Sequence, residues 1–112
     1  MKIVFTATGK DWNAHVDSVF GRAEGYILYN EEEKKISWFS NEENRNTGHG
    51  AGIQAGQNVA GLGADVVITG GKVGPKAFDV LKNAGITIYS IAGNKTVKEA
   101  FDLFKKGELI EY

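Results

Sequence analysis

Short runs of β-branched and aromatic residues alternate with polar, glycine-bearing stretches along this chain, and the alternation predicts its elements. Residues 2–8 carry Ile3, Val4 and Phe5 and stop at Gly9, the pattern of a buried strand. Residues 9–25 are polar and irregular and predict a long loop holding Asp11, Trp12, His15, Asp17 and Phe20-Gly21-Arg22. Residues 26–30 and 35–40 read as a hairpin whose solvated tip is the acidic Glu31, Glu32 and Glu33. A second polar loop, 41–48, leads into a helix in which Ala51, Ala55, Val59 and Leu62 share one face. Gly52, Gly56 and Gly61 interrupt it at about 1 kcal/mol each relative to Ala, so a close approach of that helix to the sheet is the expected compensation.

Val66, Val67 and Ile68 make a fourth strand, and a helix over 75–84 follows, with Pro75 at its start and Gly85 just past its end, burying Ala77, Leu81 and Ala84. Residues 86–91 give a fifth strand. Thr96 and Glu99 then form a capping box ahead of Val97, Ala100, Phe101 and Phe104, and 109–112 reads as a short tail. The order β-β-β-α-β-α-β-α predicts one α/β domain over residues 1–112 with a five-stranded mixed sheet. In a meander of the first three strands, strand three runs parallel to strand one, and each later crossover restores that direction. Thr8-Gly9, Thr69-Gly70-Gly71 and Ala92-Gly93 then end on the carboxyl edge of the sheet, joined there by the loop of His15, Gly21 and Arg22 and by the helix start at His49. That edge is where open α/β sheets bind ligands.

The stretch 65–76 gives this edge its chemistry. Gly70, Gly71 and Gly74 permit close approach of backbone to a ligand, while Lys72, Lys76 and the free N–H groups of a helix start attract an anion. The alternative is that these glycines only turn the chain, since the stretch matches neither G-x-x-x-x-G-K-[ST] nor G-x-G-x-x-G. His49 can ligate a metal or donate to an anionic cluster, or sit solvated in its loop; His15 has the same two readings. Arg22 can pair with an anionic ligand or clamp its loop to a carboxylate such as Asp17.

Composition narrows the classes. The chain has no cysteine, hence no disulfide, thiolate nucleophile or thiolate anchor for a cluster. A formal net charge of -1 supplies no basic field for non-specific nucleic-acid binding. No apolar run approaches the ~20 residues that span a bilayer, and no signal-like segment opens the chain, so a cytoplasmic protein is expected. A two-metal nuclease needs carboxylates on the sheet, and residues 2–8 contain none.

Several of these pieces together resemble the dinitrogenase iron–molybdenum cofactor biosynthesis family: the opening strand; Phe20-Gly21-Arg22-Ala23 followed by the 26–30 strand; His49-Gly50 opening a helix; residues 66–68 with Gly70-Gly71-Lys72-Val73-Gly74-Pro75-Lys76-Ala77; Leu81 through Gly85-Ile86; and Thr96-Val97 before Gly107-Glu108-Leu109. The resemblance implies a ribonuclease-H-like fold and a non-enzymatic role in carrying an iron–sulfur or molybdenum–iron type cofactor to or from a donor or acceptor protein. The ligand contacts expected are His49, Gly70, Gly71, Lys72, Gly74, Arg22 and His15, with His49 the metal ligand. The family pattern places histidine directly before Phe-Gly-Arg, and this chain has Val19 there, which cannot coordinate a metal. That departure leaves a second expectation, a protein-interaction or small-anion-sensing domain that has lost cofactor binding.

Overall fold

The structure, a computed structural model, describes residues 1–92 and 94–112. Its elements are β1 Lys2–Ala7, β2 Gly25–Asn30, β3 Lys35–Ser40, α1 Glu42–Arg45, α2 Ala51–Gly61, β4 Val66–Thr69, α3 Pro75–Asn83, β5 Thr87–Ser90, α4 Val97–Lys105 and β6 Ile110–Glu111. The apolar run of β1 lies inside one mixed sheet ordered β3-β2-β1-β4-β5-β6. β2 is antiparallel to β1, with Phe5 opposite Ile27, while β4 is parallel to it, with Val4 opposite Val67. β5 continues parallel to β4, and β3 is antiparallel to β2.

The expected five strands are six. The sixth, β6, pairs antiparallel with β5 through Tyr89 and Glu111 and through Ser90 and Ile110, in the segment read as a tail. Its signal was hidden because Ile110 is 75% exposed, so no buried face imposes an alternation on it. The single-turn helix α1, inside the expected 41–48 loop, buries no residue and likewise has no apolar stripe to reveal it.

Successive side chains of β1 point to opposite faces, and each face has its own core. Val4, Val67 and Ile88 pack with Ala55 and Val59 of α2 and with Ala77 and Leu81 of α3. Ile3, Phe5, Ile27 and Ile68 pack with Val97 and Ala100 of α4. Trp12 completes this second face from within the long loop, its ring 6.3 Å from Phe5, 5.1 Å from Tyr29 and 5.4 Å from Phe101. Ala84, expected in the core, is exposed, because α3 ends before it and it serves as the C-cap. The close approach expected of α2 is real but goes to a helix: a Cβ on Gly56 would lie 3.0 Å from Val80 Cγ1, and one on Gly52 would lie 3.4 Å from Ala77 Cβ. Gly61 would meet nothing within 4 Å.

Candidate functional site

Because β1, β4 and β5 are parallel, their carboxyl ends share one edge, and the loop between β1 and β2 lies across it. The buried Thr6 hydroxyl donates to Asp17 O at 2.8 Å, Asp17 N donates to Thr6 O at 2.9 Å, and Gly70 N donates to the same Asp17 carbonyl at 3.0 Å. Asp17 is thereby fixed against the end of β4. A Cβ on Gly70 would lie 2.8 Å from Asp17 O, and one on Gly71 would overlap Ser18 O outright. The two glycines are thus required by the backbone of Asp17 and Ser18, whatever else they meet.

Farther along the loop, a Cβ on Gly21 would lie 2.7 Å from Gly52 Cα, so this glycine rests on the first turn of α2. Asn41, only 3% exposed, donates to Gly21 O at 3.0 Å and Ala23 O at 2.9 Å, and Asn44 donates to Ala51 O at 2.9 Å. Phe20 is held by the Tyr26 hydroxyl, which donates to its carbonyl at 2.5 Å. Burial, and secondarily the charge of Asp17, push that hydroxyl's pKa above its ordinary value. Ser18 to Gly21 is only three Cα steps, at most about 11 Å of chain. The glycine corner after β4 and the start of α2 therefore border one rim, with Val19, 42% exposed, between them.

Arg22 does not reach the Asp17 carboxylate. Its guanidinium donates to the carbonyls of Arg45 at 2.6 Å, Thr47 at 3.0 Å and Gly48 at 3.5 Å, clamping the segment before α2. Asp17 instead accepts from Glu24 N at 3.1 Å. His49 is exposed beside Gly50, the N-cap of α2, whose φ of 78° suits glycine, and its imidazole has no hydrogen-bond partner among the described residues. His15 is exposed elsewhere on the edge, where it lines a cleft of about 280 Å³ with Thr8, Asp17, Ser18 and Gly70. Lys72, Gly74 and Lys76 are exposed at the start of α3. Gly93, expected on this edge, lies outside the described residues.

The three long helices that start here differ in their free donors. α4 has spent its first amides, with Val97 N donating to Ala14 O at 2.8 Å and Lys98 N to Trp12 O at 3.0 Å. Among the described residues, the N–H groups of 51–53 in α2, of 76 and 77 in α3, and of Gly71 and Lys72 have no partner. These are the orphan donors that favour negative charge. No group of three or more His, Cys, Asp or Glu able to hold a metal occurs among the described residues, so His49 stands outside any ligand set of that kind. A hollow of about 670 Å³ is lined by Asn41, Asn44, Thr47, Gln54 and Asn58, and its only trace in the sequence is the density of Asn and Glu over 41–48.

An uncharacterised protein of Methanocaldococcus jannaschii is 31% identical over 102 residues, covering 89% of this chain and 85% of that one. The apo form of the orange protein from Desulfovibrio gigas superposes with a TM-score of 0.93 at 36% identity, over 99% of this chain and 92% of that one. A candidate NifB protein from Thermotoga superposes with a TM-score of 0.84 at 31% identity, over 98% of this chain and 91% of that one. Residues 1–107 match the family described as dinitrogenase iron-molybdenum cofactor, and the chain belongs to that family.

Proposed function

We propose that this protein is a non-enzymatic carrier that holds an iron–sulfur or molybdenum–iron type cluster, or its precursor, as a whole anion on the rim between α2 and α3. The observation that carries this reading is a pairing of features: two helix starts and the Gly71-Lys72 corner offer amides without a partner among the described residues on one edge, while the chain has no thiolate to bond the metal itself. Lys72 and Lys76 add positive charge, His49 adds one imidazole, and Gly74 leaves its backbone open, while Gly70 serves the corner by seating the Asp17 carbonyl. Each helix start contributes about 0.3–1 kcal/mol toward an anion at an exposed site, so several must act together. Arg22 serves the rim by holding residues 45–48 in place, and His15 borders it through the adjoining cleft. A donor or acceptor protein would exchange the cargo at this open edge. The sheet order, with β2 antiparallel beside the central β1, supports the ribonuclease-H-like class implied by the resemblance.

Anaerobic titration with an iron–sulfur donor tests this. The expected result is a visible absorption band that saturates with wild-type protein and weakens in His49→Ala; no band, or one indifferent to His49→Ala, removes the reading. One observation favours a second reading: Val19 puts an exposed apolar side chain at the middle of the rim, which suits contact with a protein or sensing of a small anion without metal. Purification with a stable partner and no metal by elemental analysis would favour it.

A further inference from the structure

The glycine corner is tethered from two sides, and only one belongs to the loop that crosses the sheet edge. On the other side, Val73 N donates to the Tyr112 hydroxyl at 2.9 Å, and that hydroxyl donates to Val73 O at 3.1 Å, so one side chain satisfies both backbone groups of a buried residue. The Tyr112 ring packs 5.9 Å from that of Phe78 on α3. Tyr112 N donates to Ile88 O at 2.7 Å, extending the pairing of β6 with β5. The rest of β6 gives little reason for its own existence. It has two residues, Ile110 is 75% exposed, and the Lys82–Glu111 ion pair at 4.0 Å is between exposed side chains, a class worth little. What β6 accomplishes is to deliver Tyr112 to Val73.

We propose that Tyr112 is a positioning residue for the anion site: its hydroxyl fixes the backbone of residues 71–74, and thereby sets how strongly the free amides of Gly71 and Lys72 bind the cargo. The inference rests on the carrier reading for its ligand but on hydrogen bonds of the unloaded protein for its geometry. A corner held rigid loses less conformational entropy when an anion docks, so loosening it weakens binding without removing any contact to the ligand.

Tyr112→Phe deletes the hydroxyl and leaves the ring and the backbone hydrogen bond to Ile88. Tyr89→Phe is the control, since its ring packs on Phe104 and its hydroxyl has no partner among the described residues. Two quantities are measured: amide exchange at Val73 in the unloaded protein, and affinity for an iron–sulfur cluster supplied anaerobically. In Tyr112→Phe, Val73 should exchange about tenfold faster and affinity should fall about tenfold, equivalent to about 1.4 kcal/mol, while Tyr89→Phe matches wild type in both. Unchanged exchange at Val73 overturns the proposal whatever happens to binding. Faster exchange with unchanged affinity also overturns it. If wild type takes up no cluster, the carrier reading falls by itself, and exchange at Val73 alone decides whether Tyr112 positions the corner.

Discussion

Gly71→Ala separates the structural demand on the glycine corner from any demand made by a ligand. A methyl group on Gly71 would overlap the Ser18 carbonyl oxygen and stand 3.5 Å from Ser18 Cα, so it is the Ser18 backbone, not a flexible side-chain tip, that must give way. Forcing extra carbon into a packed site costs about 1–3 kcal/mol. Moving Ser18 also pulls on its neighbour Asp17, whose carbonyl accepts from Gly70 N at 3.0 Å and from Thr6 Oγ1 at 2.8 Å; losing one such bond costs about 1 kcal/mol. The two effects share one segment and do not strictly add, which puts the loss at roughly 2–4 kcal/mol. For a domain of this size, at about 4 °C per kcal/mol, that corresponds to a fall in Tm of roughly 8–16 °C. Urea denaturation followed by the fluorescence of Trp12 and Trp38 measures it directly. The control is Gly48→Ala, where a Cβ would meet nothing within 4 Å and which should stay within about 0.5 kcal/mol of wild type. If Gly71→Ala is as stable as Gly48→Ala, the glycine is not there to seat Asp17 and Ser18, and the packing argument for this corner fails.

Arg22→Lys replaces a fork by a point charge and should cost about 1–2 kcal/mol by urea denaturation, with little dependence on salt because the acceptors are neutral carbonyls; a loss that vanishes in 1 M salt, where Debye screening reaches about 3 Å, would mean the acceptor is a carboxylate instead. The raised pKa of Tyr26 means the folded state keeps a proton that the unfolded chain releases near its ordinary value of 10.0, so the associated stability is whole below that pH and is lost as pH rises above it. Unfolding free energy measured from pH 8 to 11 should therefore drop at the alkaline end in wild type and drop less in Tyr26→Phe; equal slopes would contradict this. Gly61→Ala should stabilise the protein by about 0.5–1 kcal/mol, since its helical site is empty around the new Cβ, whereas Gly56→Ala should gain less because Val80 Cγ1 would lie 3.0 Å away; thermal melts of the two variants decide it.

The sheet and its helices were legible wherever burial imposed a period. Val4 against Val67, the 51/55/59 face of α2 and the Thr96–Glu99 capping box all follow from side chains that must be inside or must satisfy a helix end. α1 and β6 were not, because neither buries the side chains that would print a pattern on the sequence. The rim was legible only in outline. Parallel strands dictate that Gly70, Gly21 and His49 share an edge, but nothing in the residue types says that Gly70 and Gly71 face Asp17 and Ser18, or that Arg22 reads carbonyls and not a carboxylate. Those contacts are made by backbone atoms, which every residue has, so residue identity carries no mark of them beyond the absence of a side chain. Trp12 illustrates the converse: a large apolar side chain in a polar stretch signals burial, while its partners Phe5, Tyr29 and Phe101 come from three other elements.

The most direct measurement is amide chemical-shift mapping of the protein, in the absence of oxygen, before and after addition of an iron–sulfur cluster. If an anionic cluster sits on the rim, the largest changes fall on Gly71, Lys72 and the first turns of α2 and α3, with Gly21 and Val19 between them. Changes confined to the hollow lined by Asn41, Asn44, Gln54 and Asn58, or absent altogether, would contradict an anion site built from these amides.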